Sequence, residues 1–171
     1  MSSRELAGGE LDRGVQDDGV SQQVMTNNKS SMTEEVRLGR AQITVPIASD
    51  LDIVAARERG RLLAVELGYP ATQATLIATA ISELARNIAL YATQGEIVLA
   101  TAHDGARLGI VVTARDQGPG IQDVARAIAG EHSISGGLRF GLAGVRRLMD
   151  AFEISSQPGQ GTTVAITSWK R

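Results

Sequence analysis

Two periodicities alternate along the chain. The run AQITVPI (residues 41–47) alternates apolar with other residues and is rich in β-branched side chains, which predicts a strand. SDLDIVAARERGRLLAVELGY follows. Ser49 or Asp50 caps it, and Leu51, Val54, Ala55, Leu62, Val65 and Leu67 predict the apolar stripe of a first helix, which Gly68 and Pro70 stop. ATQATLIATAISELARNIALYA (71–92) reads as a longer helix bounded by Gly95, with Ile77, Ala80, Ile81, Leu84 and Ile88 on one arc. EIVLATA and RLGIVVTAR, joined by HDGA with its Asp-Gly dipeptide, predict an antiparallel hairpin. The loop DQGPGI leads to a short helical segment, QDVARAIAG, and a Gly/Ser stretch, EHSISGG. GLAGVRRLMDAF then predicts a third substantial helix with Leu142, Val145, Leu148, Met149 and Phe152 on one face. EISSQ, the turn PGQG and the strand TTVAITSW close the chain.

Strands that arrive mostly as neighbours, with helices between some of them, indicate an α/β (α+β) fold. The expected form is a two-layer sandwich whose mixed, mostly antiparallel sheet is covered on one face by helices. Residues 1–38 are rich in Ser, Gly, Asp, Gln and Asn and show neither period, so they are expected to form a disordered N-terminal tail before a domain spanning 39–171.

Composition narrows the chemistry. A length of 171 residues suits one domain with a single core. The net charge of −2, from 17 basic and 19 acidic residues, lacks the positive field that nucleic acid or an anionic membrane attracts. No apolar run is long enough to span a bilayer and the first thirty residues show no leader pattern, so a soluble cytoplasmic protein is expected. Cysteine is absent and only His103 and His132 supply imidazole. Disulfides, thiolate nucleophiles and a His-rich zinc site are therefore excluded, and chemistry falls to carboxylates, amides, hydroxyls, Arg/Lys and backbone.

Glu83 and Asn87 stand one helical turn apart at the margin of the apolar arc. Alone, the pair is read equally well as Glu83 bonded to Arg86 three residues on, with Asn87 on an exposed edge. The loop DQGPGI (116–121) has Gly118 and Gly120, which let backbone approach a ligand closely, or it is a surface turn. SGGLRFGLAGV puts Gly136, Gly137, Gly141 and Gly144 before and inside the start of a helix, which is either a seat for phosphate oxygens or a hinge. GQGTTVAI brings Gly161, Thr162 and Thr163 to the last strand, where a plain hairpin also accounts for them.

In this order, E-x-x-x-N, D-x-G-x-G, a Gly-rich helix start and G-T-T resemble the motif series of the GHKL ATPase and kinase superfamily. DIVAARERGRLLAVELGY, ATAISELARNIALYA, DQGPGI and ISGGLRFGLAGVRRLMDAFEI are most similar to the RsbT-like serine/threonine switch kinases, and the likeness covers about residues 42–169. The resemblance implies a Bergerat-type sandwich that binds ATP with Mg²⁺. It implies Asn87 as the metal ligand and Glu83 as the base that takes the proton of a substrate hydroxyl. It further implies that Asp116 accepts from the adenine amino group, that Gly118 and Gly120 line the adenine and sugar wall, and that Gly137, Gly141 and Leu142 meet the phosphates. Thr163 would support the adenine, and residues 122–139 would form a lid. The chain departs from the family pattern at Arg139, Phe140 and Ala143, and Arg139 is either a group that reaches the triphosphate or a solvated lid residue. The implied substrate is a STAS-domain antagonist or scaffold. The implied downstream partner is a phosphatase, cyclase or sigma-factor pathway protein. An anti-sigma-type binding module is the second reading.

Overall fold

A computed structural model describes residues 23–28, 37–130 and 141–171. Strand β1 (Gln23–Asn28) and strand β2 (Arg37–Ile47) precede helix α1 (Asp50–Glu66) and helix α2 (Ala71–Asn87), which runs on into a π-helical turn (Ile88–Ala92). Strands β3 (Gly95–Asp104) and β4 (Arg107–Asp116) come next. Helices α3 (Val124–Ala129) and α4 (Gly141–Leu148) and strands β5 (Ala151–Gln157) and β6 (Gly161–Trp169) complete the chain.

The strands form one sheet in the order β1-β5-β6-β4-β3-β2. Every pairing among the described residues is antiparallel, so the sheet is not mixed as expected. For two of the five pairings the physical reason lies in the connections. β3 and β4 are joined by a tight hairpin through Asp104 and Gly105, the latter at φ 57°, and β5 and β6 by another through Gly159 and Gly161. Hairpins can only join antiparallel strands.

Register builds the core in rows. Ile43, Leu99, Val112, Ile166 and Phe152 stand opposite one another across five strands, and Val45, Ile97, Ala114, Val164 and Ile154 form the next row on the same face. The α2 arc of Ile77, Ala80, Ile81, Leu84 and Ile88, each no more than 2% exposed, packs with these rows in a single core. At roughly 25 cal/mol per Å² of apolar surface buried, these rows and the α2 arc are the main driving force for the fold.

Helix α1 is capped by Ser49, whose side chain accepts from the Asp52 N–H, while the Ser49 N–H donates to Asp52 Oδ2 at 2.9 Å. The Ala48 N–H, the Ser49 hydroxyl and the Ser49 N–H hold the Asp52 carboxyl below the usual range. The face that α1 buries is not the expected stripe. Ile53, Ala56, Gly60 and Ala64 are buried, whereas Leu51, Val54, Leu62 and Val65 are exposed. Close approach to α2 is the cause: a Cβ on Gly60 would lie 2.0 Å from Ile81 Cδ1, so the contact demands small residues.

Two further elements differ from expectation. Phe152 lies in β5 rather than on α4, because the helix ends at Leu148. Residues 23–28, expected in an unpatterned tail, pair with β5 as an edge strand, and β2 begins at Arg37, inside the same tail. Ladder hydrogen bonds use backbone groups, so such pairing needs no hydrophobic alternation. The C-terminus is pinned to α2 by Gln73, which is 7% exposed and donates to the Trp169 carbonyl at 2.6 Å and to Ser168 Oγ at 3.1 Å.

Candidate active site

A third row of the sheet lies beyond the two apolar ones, on the same face. Across it stand Ile47, Gly95, Asp116, Thr162 and Ser156. Side chains on a strand face alternate with a period of two, so this row points to the helix side, where Asp116 and Thr162 line an opening. The result is a cleft of about 890 Å³ lined, among others, by Glu83, Asn87, Asp116, Gly120, Gly141 and Leu142. Its size falls within the range of small-ligand sites.

Asp116 is the best-defined group in it. The Gly118 N–H donates to Asp116 Oδ1 at 2.9 Å and the Thr162 N–H donates to the same oxygen at 3.3 Å. Two backbone donors on one oxygen fix the carboxylate in orientation and leave Oδ2 with no hydrogen bond to the described residues, available to a donor on a ligand.

The loop after Asp116 is shaped by its glycines. Gly120 takes φ 72°, and a Cβ there would lie 2.2 Å from the Gln157 carbonyl. Gly118 does not line the cleft as expected; it is the point of close contact with the end of the π-helical turn, where a Cβ would meet Ala92 Cβ at 2.6 Å. Ser156, 2% exposed, clamps this loop from β5: its Oγ accepts from the Ile121 N–H at 2.8 Å and shares a 2.9 Å hydrogen bond with Thr162 Oγ1. Ser156 carried no motif signal of its own, whereas Thr162 stood inside the G-T-T motif beside Thr163.

Thr163 is corrected by register. It stands opposite Arg115 and Ser155, on the face away from the helices, while Thr162 and Val164 line the cleft. A one-residue step on a strand exchanges faces.

On the opposite wall, Glu83 is 7% exposed and accepts from Arg86 at 2.8 Å, so the ion pair of the simpler reading is formed, but within the cleft rather than on an outer surface. Asn87 stands at the last residue of α2, immediately before the π-helical turn, a feature that recurs at functional sites. Thr93 just beyond it has φ 66°, an uncommon backbone for a residue other than glycine.

The third wall is α3 and α4. Gly141, the first residue of α4, has φ 53° and no described residue within 4 Å of where a Cβ would stand, and Gly144 is buried. The start of a helix offers N–H groups that suit an anion. Arg126 and Arg147 add positive charge at the cleft. Gly137, Arg139, Phe140 and His132, with half of the expected lid, lie outside the described residues; its described part, residues 122–130, carries α3 and ends at Gly130 with φ 85°.

Residues 72–170 match the family described as histidine kinase-, DNA gyrase B- and HSP90-like ATPases. The chain is 47% identical over 130 residues to the serine/threonine-protein kinase RsbT of Bacillus subtilis strain 168, an alignment covering 76% of this chain and 98% of that one. The chain belongs to the RsbT family of serine/threonine-protein kinases. Among solved structures it is similar to the RsbU and RsbW domains of Rv1364c from Mycobacterium tuberculosis, with a TM-score of 0.53 and 21% identity. That likeness covers 77% of this chain but only 33% of the other, and it bears on the fold. Among the described residues of this chain, no helix is long and apolar enough to cross a membrane.

Proposed function

We propose that this protein transfers the γ-phosphoryl group of Mg-ATP to a serine or threonine of a STAS-domain protein in a bacterial partner-switching module. Phosphorylation of that protein would free the kinase for a downstream phosphatase, cyclase or sigma-factor pathway protein. The cytoplasm is the expected location, and residues 39–171 are the catalytic domain.

The observation that carries this reading is the convergence of Glu83, Asn87, Asp116 and the start of α4 on one cleft. Asp116 Oδ2 is set to accept from the exocyclic amino group of adenine, with Gly120 and Ile121 beside it. The space over Gly141, open among the described residues, and the N-terminal end of α4 suit the phosphates, with Leu142 next to them. Gly137 keeps the phosphate role that the family pattern gives it, and Arg139, where the chain departs from that pattern, is the added group that reaches the triphosphate.

Among the described residues no cluster of three carboxylate or imidazole groups could cage a cation. Mg²⁺ prefers phosphate oxygens and water with one or two protein oxygens, and the Asn87 amide oxygen would be the protein ligand. The ion would supply charge neutralisation on the phosphates.

In the transfer itself, the substrate hydroxyl oxygen forms a bond to the γ-phosphorus, the bond from that phosphorus to the ADP oxygen breaks, and the hydroxyl proton passes to the Glu83 carboxylate. Purified protein, labelled Mg-ATP and the STAS-domain protein encoded nearest to it test the reading. Label should pass to the partner, and Glu83→Ala should abolish transfer while ATP still binds. Transfer that survives Glu83→Ala unchanged, or none to any STAS partner, would sink it.

A further inference from the structure

The cleft holds an electrostatic conflict. The kinase reading requires a triphosphate and a carboxylate base in one site, and two such anions repel each other strongly where water is scarce. Glu83 is the acute case, since its side chain is only 9% exposed. A carboxylate that deep needs a partner.

Arg86 is that partner, and the manner of its contact is informative. Its Nη1–H donates to Glu83 Oε1 at 2.8 Å, and no other hydrogen bond to either side chain is made among the described residues. The contact is single-pronged where a guanidinium and a carboxylate can make two parallel bonds. It therefore leaves Glu83 Oε2 available to a substrate proton while one positive charge remains beside the carboxylate. Arg86 also lines the cleft and is 38% exposed, whereas ordinary helix-surface pairs such as Glu58–Arg61 are exposed at both ends.

We propose that Arg86 is a positioning residue that holds the Glu83 carboxylate in the cleft and neutralises it there, so that base and triphosphate can occupy one site. This rests on reading the cleft as the ATP site. It assigns Arg86 no contact with the nucleotide; its effect passes through Glu83.

The test is a double-mutant cycle on nucleotide affinity, measured by calorimetry with ATP and with adenosine on the full chain. Arg86→Gln should weaken ATP by about tenfold or more and adenosine by less than about twofold, because only the triphosphate feels the exposed charge. In a Glu83→Gln background the same Arg86→Gln change should cost less than about threefold in ATP affinity, since no carboxylate remains to neutralise. Arg86→Lys, which keeps the charge and serves if Arg86→Gln does not fold, should stay within about threefold of the unsubstituted chain. Equal losses for ATP and adenosine, an equal loss with and without the Glu83 carboxylate, no loss in Arg86→Gln, or a tenfold loss in Arg86→Lys would each overturn the proposal. An unsubstituted chain that binds ATP but transfers no phosphate sinks the kinase reading and leaves the cycle to decide Arg86. One that binds neither ligand sinks both.

Discussion

Thr162 and Asp116 stand opposite each other on β6 and β4, and the Thr162 N–H donates to the same carboxylate oxygen that the Gly118 N–H holds. One oxygen of Asp116 is thereby committed to the fold and the other to whatever enters the cleft.

The division of labour on Asp116 can be tested by isosteric change. Asp116→Asn can keep an oxygen toward the two backbone donors, and its NH₂ then replaces the acceptor offered to the ligand. We expect the fold to survive, with a melting temperature within a few degrees of the unsubstituted chain, and ATP affinity to fall by about tenfold to a hundredfold by calorimetry.

Ser156→Ala removes the acceptor for the Ile121 N–H and the partner of Thr162 Oγ1 in a site that is 2% exposed. Leaving such a donor unsatisfied costs about 1–3 kcal/mol, to be read from denaturant unfolding. ATP affinity should fall as well, because the loop that Ser156 clamps forms one wall of the cleft.

Gly120 and Gly141 both have positive φ, yet a Cβ at Gly120 meets the Gln157 carbonyl while one at Gly141 meets no described residue. Gly141→Ala should cost only the backbone strain, about 1–2 kcal/mol, and Gly120→Ala should cost clearly more. On nucleotide binding Gly141→Ala should still matter, since its added methyl group enters the space assigned to phosphate. Unfolding curves and calorimetry on both variants separate the two effects.

Tyr69 links stability to alkaline pH. Its ring is 6% exposed, its hydroxyl donates to the Ser168 carbonyl at 2.7 Å, and burial pushes its pKa from 10.0 up to about 12. A folded-state value raised above the unfolded one means a contribution that is complete below pH about 10 and lost as the pH rises through about 12. Tyr69→Phe should remove that alkaline step from the stability–pH curve while costing about 1 kcal/mol at neutral pH for the lost hydrogen bond.

Much of the cleft was legible from residue order, because its parts carry local signals. Glu83 and Asn87 share a helix face by spacing alone, and Asp116, Gly120, Gly141 and Leu142 sit where chain direction changes, which glycine marks. Thr163 was misassigned for Thr162 because the two are neighbours of the same type and only the pairing with β4 tells which faces the helices. Gly118 was read as a ligand wall when its lack of a side chain serves contact with Ala92.

Helix α1 shows the same limit on a larger scale. Its large apolar residues marked one face and its small ones another, and hydrophobicity favoured the former. The fold buries the small face, because Gly60, Ala56 and Ala64 let α1 come close to α2.

By itself, then, the sequence determined which segments are helices and strands among the described residues of 41–169, apart from the end of α4, together with the hairpins and the residue types available for chemistry, since periodicity, capping and turn preferences are local properties. Tertiary structure alone decided the strand order, the edge pairing of residues 23–28, the buried face of α1, and the choice of Thr162 over Thr163. It also set the Arg86–Glu83 pair inside the cleft instead of on an outer surface. These depend on register and on how closely two backbones approach, and both are set by partners far away in the chain.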